Sequence, residues 1–263
     1  MNNGTTERRI QVTGKVYAAT RTGKLHVNSE DSILIGGEVI ASEDHDDCVN
    51  LMRKLPEQGF VCVADGVGGY TGGAIASNFV LLALAENEIT QLEQLHPFLT
   101  RVHQNLLDYA SSVPELHMMS TTMTGIFFYE SKCYCVHAGN TRTYHYHGGY
   151  LEQLTTDHTV YQELLEQGHY YEALICNKNI ITASFGGAPE MIHRLTVFEC
   201  PPFETLLLTT DGIHDHLDHD ELEEIMGRDE VESEKLERMI CRAQNAGSMD
   251  DLSAVIIHCE DSD

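Results

Sequence analysis

Positive charge is what this sequence has least of. Lys and Arg total 16 against 41 Asp and Glu, a formal net charge of −25 over 263 residues. Such an excess repels phosphate backbones and anionic lipid unless a local basic patch offsets it. No such patch occurs, so neither nucleic acid nor a membrane surface is an expected partner. Also missing is any apolar run of the roughly 20 residues needed to span a bilayer, and the polar opening MNNGTTERR lacks the apolar centre of a secretory signal. A cytoplasmic location is therefore expected. The eight cysteines (Cys48, Cys62, Cys133, Cys135, Cys176, Cys200, Cys241, Cys259) are scattered through a chain long enough to build its own core. They read as free thiols, and the Cys133-x-Cys135 pair as two side chains on one strand face of the core. There is no Gly-x-Ser-x-Gly elbow and no Cys-x5-Arg phosphate loop, which disfavours serine-hydrolase and cysteine-phosphatase chemistry. Gly66-x-Gly68 with Gly72-Gly73 resembles a nucleotide loop, but Thr71 takes the third glycine position and no Lys-Ser/Thr pair follows.

What is present is an ordinary globular composition, 42% hydrophobic and 22% charged, without repeat or low-complexity linker. One domain over 1–263, acting as a monomer, is the expectation. β-Branched and apolar runs predict strands at 10–19, 32–35 and 60–64, and helical spacing predicts helices at 74–87 and 97–111. A meander of hairpins is expected at 121–129, 133–138, 141–146 and 150–154. A short helix at 160–167 then precedes an irregular stretch to about 179. Strands at 192–198 and 206–210, helices at 221–226 and 234–244 and a last strand at 252–258 complete the chain. Strands and helices come in blocks, which argues for antiparallel sheets with helices packed outside them.

The chemistry lies in carboxylates at strand ends. Asp65 follows the apolar run 60–64 and precedes Gly66-Val67-Gly68-Gly69; Asp211 follows 206–210 and precedes Gly212; Asp250 and Asp251 stand just before the strand 252–258. A single Asp-Gly is most simply a turn. Carboxylates massed together without basic neighbours instead raise one another's pKa unless hard cations bridge them, and an oxygen-only donor set favours Mg²⁺ or Mn²⁺ over Zn²⁺.

Read together and in order, these pieces resemble the metal-dependent type 2C (PPM) protein serine/threonine phosphatases, in their compact bacterial form. Asn28-Ser29-Glu30-Asp31, VADGVGG at 63–69 with Gly73-Ala74-Ile75-Ala76-Ser77, and Ser120-Thr121-Thr122 match the family's early elements. Ala138-Gly139-Asn140-Thr141-Arg142 with Tyr144, Leu154-Thr155-Thr156-Asp157-His158, LLLTTDGIHDHL and MDDLSAVII match the later ones. The resemblance implies an α+β fold, a four-layer α/β/β/α sandwich of two central antiparallel β-sheets flanked by helices, with a flap at about 159–188 beside the site. It implies two divalent cations, Mn²⁺ or Mg²⁺. Asp65 would bridge them, Gly66 would offer its carbonyl, Asp211 and Asp250 would complete one shell, and Glu30 and Asp31 would hold metal-bound waters. The implied reaction is attack of a hydroxide shared by the two ions on the phosphorus of phosphoserine or phosphothreonine. The substrate would be a phosphorylated protein and the enzyme would oppose a Ser/Thr kinase.

The chain departs from the family at informative positions. His26 stands where an arginine usually grips the substrate phosphate, so any phosphate contact there is made by a weaker, titrating donor. Asn140 replaces the aspartate that helps hold a third ion, which predicts a third site weak or absent. Asp251 replaces an asparagine, Ser29 replaces the asparagine before Glu30, and Val67 stands where some members carry a histidine. His26 and Asn140 also leave open a non-catalytic phosphoprotein-binding regulator on the same fold; a phosphatase of a small phosphorylated metabolite is the other alternative. The group His214-Asp215-His216 with His219 reads as a solvated helix entrance rather than a metal cluster. The acidic run 218–237 reads as an exposed helical face.

Overall fold

The computed structural model describes residues 13–41, 48–67 and 72–260. Gly68, Gly69 and Thr71 of the glycine cluster, and the first residues of the expected strand 10–19, lie outside these ranges.

The first half runs β1 (Thr13–Arg21), β2 (Asp31–Ile35), β3 (Glu38–Ile40), β4 (Val49–Lys54), β5 (Gly59–Val67), α1 (Gly72–Ala85), α2 (Leu95–Ser112), β6 (Ser120–Tyr129) and β7 (Lys132–Ala138). The second half runs β8 (Arg142–His147), β9 (Tyr150–Gln153), α3 (Val160–Glu166), α4 (Tyr170–Ile175), β10 (Phe185–Gly186), β11 (Thr196–Glu199), β12 (Thr205–Thr209), α5 (Asp211–His214), α6 (His219–Met226), α7 (Glu232–Asn245) and β13 (Leu252–Glu260). One sheet has the order β4-β1-β13-β12-β8-β9; the other has β11-β7-β6-β5-β2-β3, with β10 paired to β6. All pairings are antiparallel.

Period-2 alternation makes each central strand serve two cores. On β5, Val61 and Val63 face the other sheet, while Phe60, Cys62 and Ala64 face α1 and α2. On β13, Val255 and Ile257 meet the inter-sheet core, and Leu252, Ala254 and Ile256 meet the α6–α7 layer. The helices complete this from the 3.6-residue period. Leu95, Leu99, Val102, Leu106 and Ala110 of α2 are buried, as are Leu236, Met239, Ile240 and Ala243 of α7. The result is the expected four-layer α/β/β/α sandwich. The acidic run 218–237 lies across α6 and α7, where Asp218 and Glu221 form a reciprocal capping box at the start of α6. All eight cysteines are free, and Cys133 and Cys135 both face the inter-sheet core.

Four expectations change. The 121–154 meander is two hairpins in different sheets: β6–β7 belongs to one, β8–β9 to the other, and the chain crosses between them at Gly139–Thr141. The 192–198 strand begins only at Thr196, because Pro189 starts a 3-10 turn over Pro189–Arg194. The stretch expected to be irregular contains α4. Three short or polar strands, β3, β4 and β10, carry too little apolar pattern to be read in advance.

Candidate metal centre

The ends of β5 and β12 and the starts of β2 and β13 meet at one end of the sandwich. Asp31 pairs with Asp65 in the β2–β5 register, which sets two acids side by side. Asp211 begins α5 directly after β12, and Asp250 directly precedes β13. Close backbone approach makes this possible. A Cβ on Gly212 would overlap the Asp251 carbonyl oxygen, and one on Gly73 would lie 2.6 Å from the Glu30 carboxylate. Only glycine lets the starts of α5 and α1 come this near.

The acids pay in proton affinity. Burial raises the Asp65 carboxyl well above the usual range, and the charges of Asp211, Asp31 and Asp250 raise it further; Asp65 and Asp211 lie within hydrogen-bond reach of each other. Burial and the charges of Asp250 and Asp215 push Asp211 up to about 6. Asp31 is raised by burial and by Asp251, although Thr210 Oγ1 donates to its Oδ2 at 2.8 Å. Glu30, raised mainly by burial, keeps Oε1 buried without a hydrogen-bond partner. Oxygen donors that mutually suppress ionisation, one of them orphaned, fit hard divalent cations, which would replace the protons these groups otherwise hold. Gly66, the expected carbonyl ligand, pairs with Thr121 at the end of β5. The adjoining Asp65 carbonyl accepts from Thr121 Oγ1 at 2.8 Å.

Three supporting residues were not read from the sequence in these roles. Asp251 is the hub: its Oδ1 accepts from the Gly23 N–H at 2.7 Å, and its Oδ2 accepts from the Glu30 N–H at 2.6 Å and from His26 Nδ1 at 2.9 Å. The two departures at 26 and 251 are therefore in direct contact. His26 sits at the rim with Nδ1 3.8 Å from Asp250 and Nε2 3.8 Å from Glu30. Burial alone would lower its pKa, but Asp251, Glu30 and Asp250 outweigh that and raise it. Asn140 Nδ2 donates to Asp211 Oδ2 at 3.0 Å and so aims that carboxylate. Thr210 ties Asp31 to β13, its hydroxyl also accepting from the Ser253 N–H at 3.1 Å. None of these contacts follows from local spacing. His214 is a correction: it is 7% exposed rather than solvated, hydrogen-bonded to Thr209 Oγ1 at 2.8 Å, with its pKa held well below normal by burial and then by Arg142.

A polar cleft of about 500 Å³ opens beside Asn140, between β8, α5 and the segment that carries α3. Arg142 and Asp157 line it as an ion pair, with Nε donating to Oδ1 at 3.0 Å and Nη2 to Oδ2 at 2.7 Å, and Lys178 lies over the Tyr161 ring at 4.9 Å. The segment expected to form a flap contains α3 and α4, with Tyr170, Tyr171, Leu174 and Ile175 exposed.

With this geometry in view, comparison with known proteins is informative. No family model matches the chain. The serine/threonine phosphatase Stp of Listeria monocytogenes is 29% identical over 225 residues, 81% of this chain and 89% of that one. The serine/threonine protein phosphatase PstP of Mycobacterium tuberculosis is 26% identical over 263 residues, 97% of this chain and 47% of that one. The crystal structure of PstP superposes with a TM-score of 0.75 at 25% identity, covering 94% of this chain and all of that one. That of Stp1 from Staphylococcus aureus gives 0.76 at 21% identity over 94% and 95% of the two chains. The fold is that of the PPM-type phosphatases. Among the described residues no helix is long and apolar enough to cross a membrane.

The loop that carries Asn140 in this PPM fold is clamped by His158, whose N–H donates to the Gly139 carbonyl at 2.7 Å while its Nδ1 accepts from the Gly139 N–H at 3.3 Å. Its ring packs 4.6 Å from that of His137, which donates through Nε2 to the Thr156 carbonyl at 3.0 Å. Burial lowers His137 to about 3 and His158 to about 4. The unfolded chain gains these protons as pH falls through about 6.5, and the folded chain resists them. Stability is thus complete above that value and is lost below it. Between pH 7 and 5, urea unfolding should report a loss of about 2 kcal/mol from His137. His137→Phe should shrink the pH dependence by that amount; an unchanged slope would remove His137 from the account.

Proposed function

We propose that the protein is a metal-dependent protein serine/threonine phosphatase, acting as a single-domain monomer on phosphoserine and phosphothreonine in proteins. The observation that carries this reading is the convergence of Asp65, Asp211 and Asp250, with Glu30 and Asp31, at one end of the sandwich, where burial and then mutual charge raise the proton affinity of Asp65 and Asp211. The names of the Listeria and Mycobacterium relatives agree with it.

Asp65 would bridge two cations, Asp211 and Asp250 would complete one shell with the Gly66 carbonyl, and Glu30 and Asp31 would hold ordered water. An oxygen-only donor set favours Mn²⁺ or Mg²⁺. When bound, such a pair supplies charge that steadies phosphoryl oxygens and acidifies water. The protein does the aiming. Asn140 donates to Asp211 and fixes that carboxylate's rotation, Thr210 fixes Asp31, and Asp251 fixes the 23–30 segment that presents Glu30 and His26. Since Asn140 brings an amide where a carboxylate would draw a third ion, two ions are held firmly and a third weakly. His26, held by Asp251 at the rim, is placed to contact a substrate phosphate when its imidazole is protonated. The relatives' names favour a phosphorylated protein over a small metabolite as the substrate. The opposing enzyme is a Ser/Thr kinase.

Manganese-dependent hydrolysis of p-nitrophenyl phosphate and of a phosphothreonine peptide tests the reading. Asp211→Asn should lower kcat by at least about 100-fold, since even groups behind metal ligands contribute roughly 10- to 100-fold. A parent protein that binds Mn²⁺ yet turns over neither compound would favour a phosphoprotein-binding regulator. His26→Arg should lower the KM for the peptide, because a forked permanent cation matches phosphate better than an imidazolium. An unchanged KM would exclude His26 from phosphate contact.

A further inference from the structure

A second set of donors lies outside the aspartate cluster, on the β8–β9 hairpin. Gly148 and Gly149 close that hairpin with φ of +58° and +89°, the two positive values that a tight two-residue turn requires. The turn locks the register, with His147 opposite Tyr150, Tyr146 opposite Leu151 and His145 opposite Glu152. Tyr144, Tyr146 and Leu151 face the α6–α7 layer, so His145, His147 and Glu152 share the other face. There the two imidazole rings lie 4.5 Å apart, and His147 Nε2 is 3.6 Å from Glu152 Oε2. One donor atom from each of the three residues falls within 4.8 Å of the other two.

Ligand atoms around a tetrahedral ion with bonds of about 2.0–2.2 Å are separated by about 3.3–3.6 Å. The His147–Glu152 distance already matches, and the donor atoms of all three residues lie within 4.8 Å of one another, with two of the side chains exposed and unconfined by packing. The walls are unequal in a useful way. His145 is 8% exposed and fixed in the sheet, whereas the side chains of His147 and Glu152 are 52% and 62% exposed and open to solvent. Burial and the neighbouring His147 lower the pKa of His145, which favours the neutral imidazole that metals bind.

We propose that His145, His147 and Glu152 form a binding site for one divalent transition-metal ion of the zinc class, with solvent in the remaining position. Two imidazoles and a carboxylate select zinc, cobalt, nickel or copper over Mg²⁺ and Mn²⁺, so this site differs in kind from the oxygen-only aspartate cluster. A net charge of −25 draws cations to the surface as a whole, and the donor set decides which ion stays. Bound there, the ion staples β9, the edge strand of its sheet, to β8 and stabilises the folded chain by linkage.

The test is a Co²⁺ titration of the full chain already saturated with Mn²⁺, followed by visible absorption. One equivalent of Co²⁺ should develop ligand-field bands that Zn²⁺ displaces. His147→Ala and Glu152→Gln change exposed side chains, and each should weaken Co²⁺ roughly 10- to 100-fold or more. The proposal is overturned if the Mn²⁺-saturated protein takes up no Co²⁺, or if both variants bind it as the parent does. It is also overturned if thiolate-to-cobalt charge-transfer bands place the ion on cysteine. The readout does not depend on phosphatase activity, so this site and the aspartate centre stand or fall separately.

Discussion

Repulsion among carboxylates organises one end of this protein. Asp65, Asp211, Asp250, Glu30 and Asp31 gather at the ends of four strands, where burial first and their mutual charge second raise the proton affinity of Asp65 and Asp211 above the usual carboxylate range. An arrangement this costly in an isolated chain becomes favourable once divalent cations replace the protons. The surrounding structure holds the acids in place. Gly73 and Gly212 remove the side chains that would push α1 and α5 away, Thr210 pins Asp31, and Asn140 turns Asp211.

His26 and Asp251 extend the same logic to the rim. Each departs singly from the pattern of the PPM phosphatases, and the structure makes them one feature, a histidine held at 2.9 Å by a carboxylate that also accepts two backbone N–H groups. The contact gives the segment from Gly23 to Glu30 a fixed anchor on the start of β13. It also leaves the imidazole facing Asp250 and Glu30 as well as the open site. On the proposed function, a protonated His26 in that position would answer to the metal-holding carboxylates and to an incoming phosphate together.

What could be read in advance follows physical lines. β5, β12 and β13 are apolar runs that end or begin at an acid, and the buried stripes of α2 and α7 repeat at helical spacing, so these elements and the aspartates on them were legible. Sheet membership was not: β7 and β8 look like consecutive strands of one meander, and only the crossing at Gly139–Thr141 sends them to different sheets. The strand expected at 192–198 lost its first half to a proline-started turn, and β4, with Arg53 and Lys54 on an edge, lacks the pattern that marks a buried strand. At the site, the acids were visible because each sits at a strand end. Their supports were not, because Asp251 meets Gly23 and Glu30 more than 200 positions away in sequence. His214 was misread for the same reason: a polar cluster after Asp-Gly gives no sign that the first turn of α5 buries it against Thr209.

The central claim is that this carboxylate cluster exists to hold a pair of cations. Anomalous scattering at the manganese edge, from crystals grown with Mn²⁺, measures it directly. The account expects two strong peaks flanking the Asp65 carboxylate, one of them also contacted by Asp211 and Asp250, and at most a weak third near Asn140. A crystal with no manganese peak at Asp65, or with its manganese held elsewhere, would contradict it.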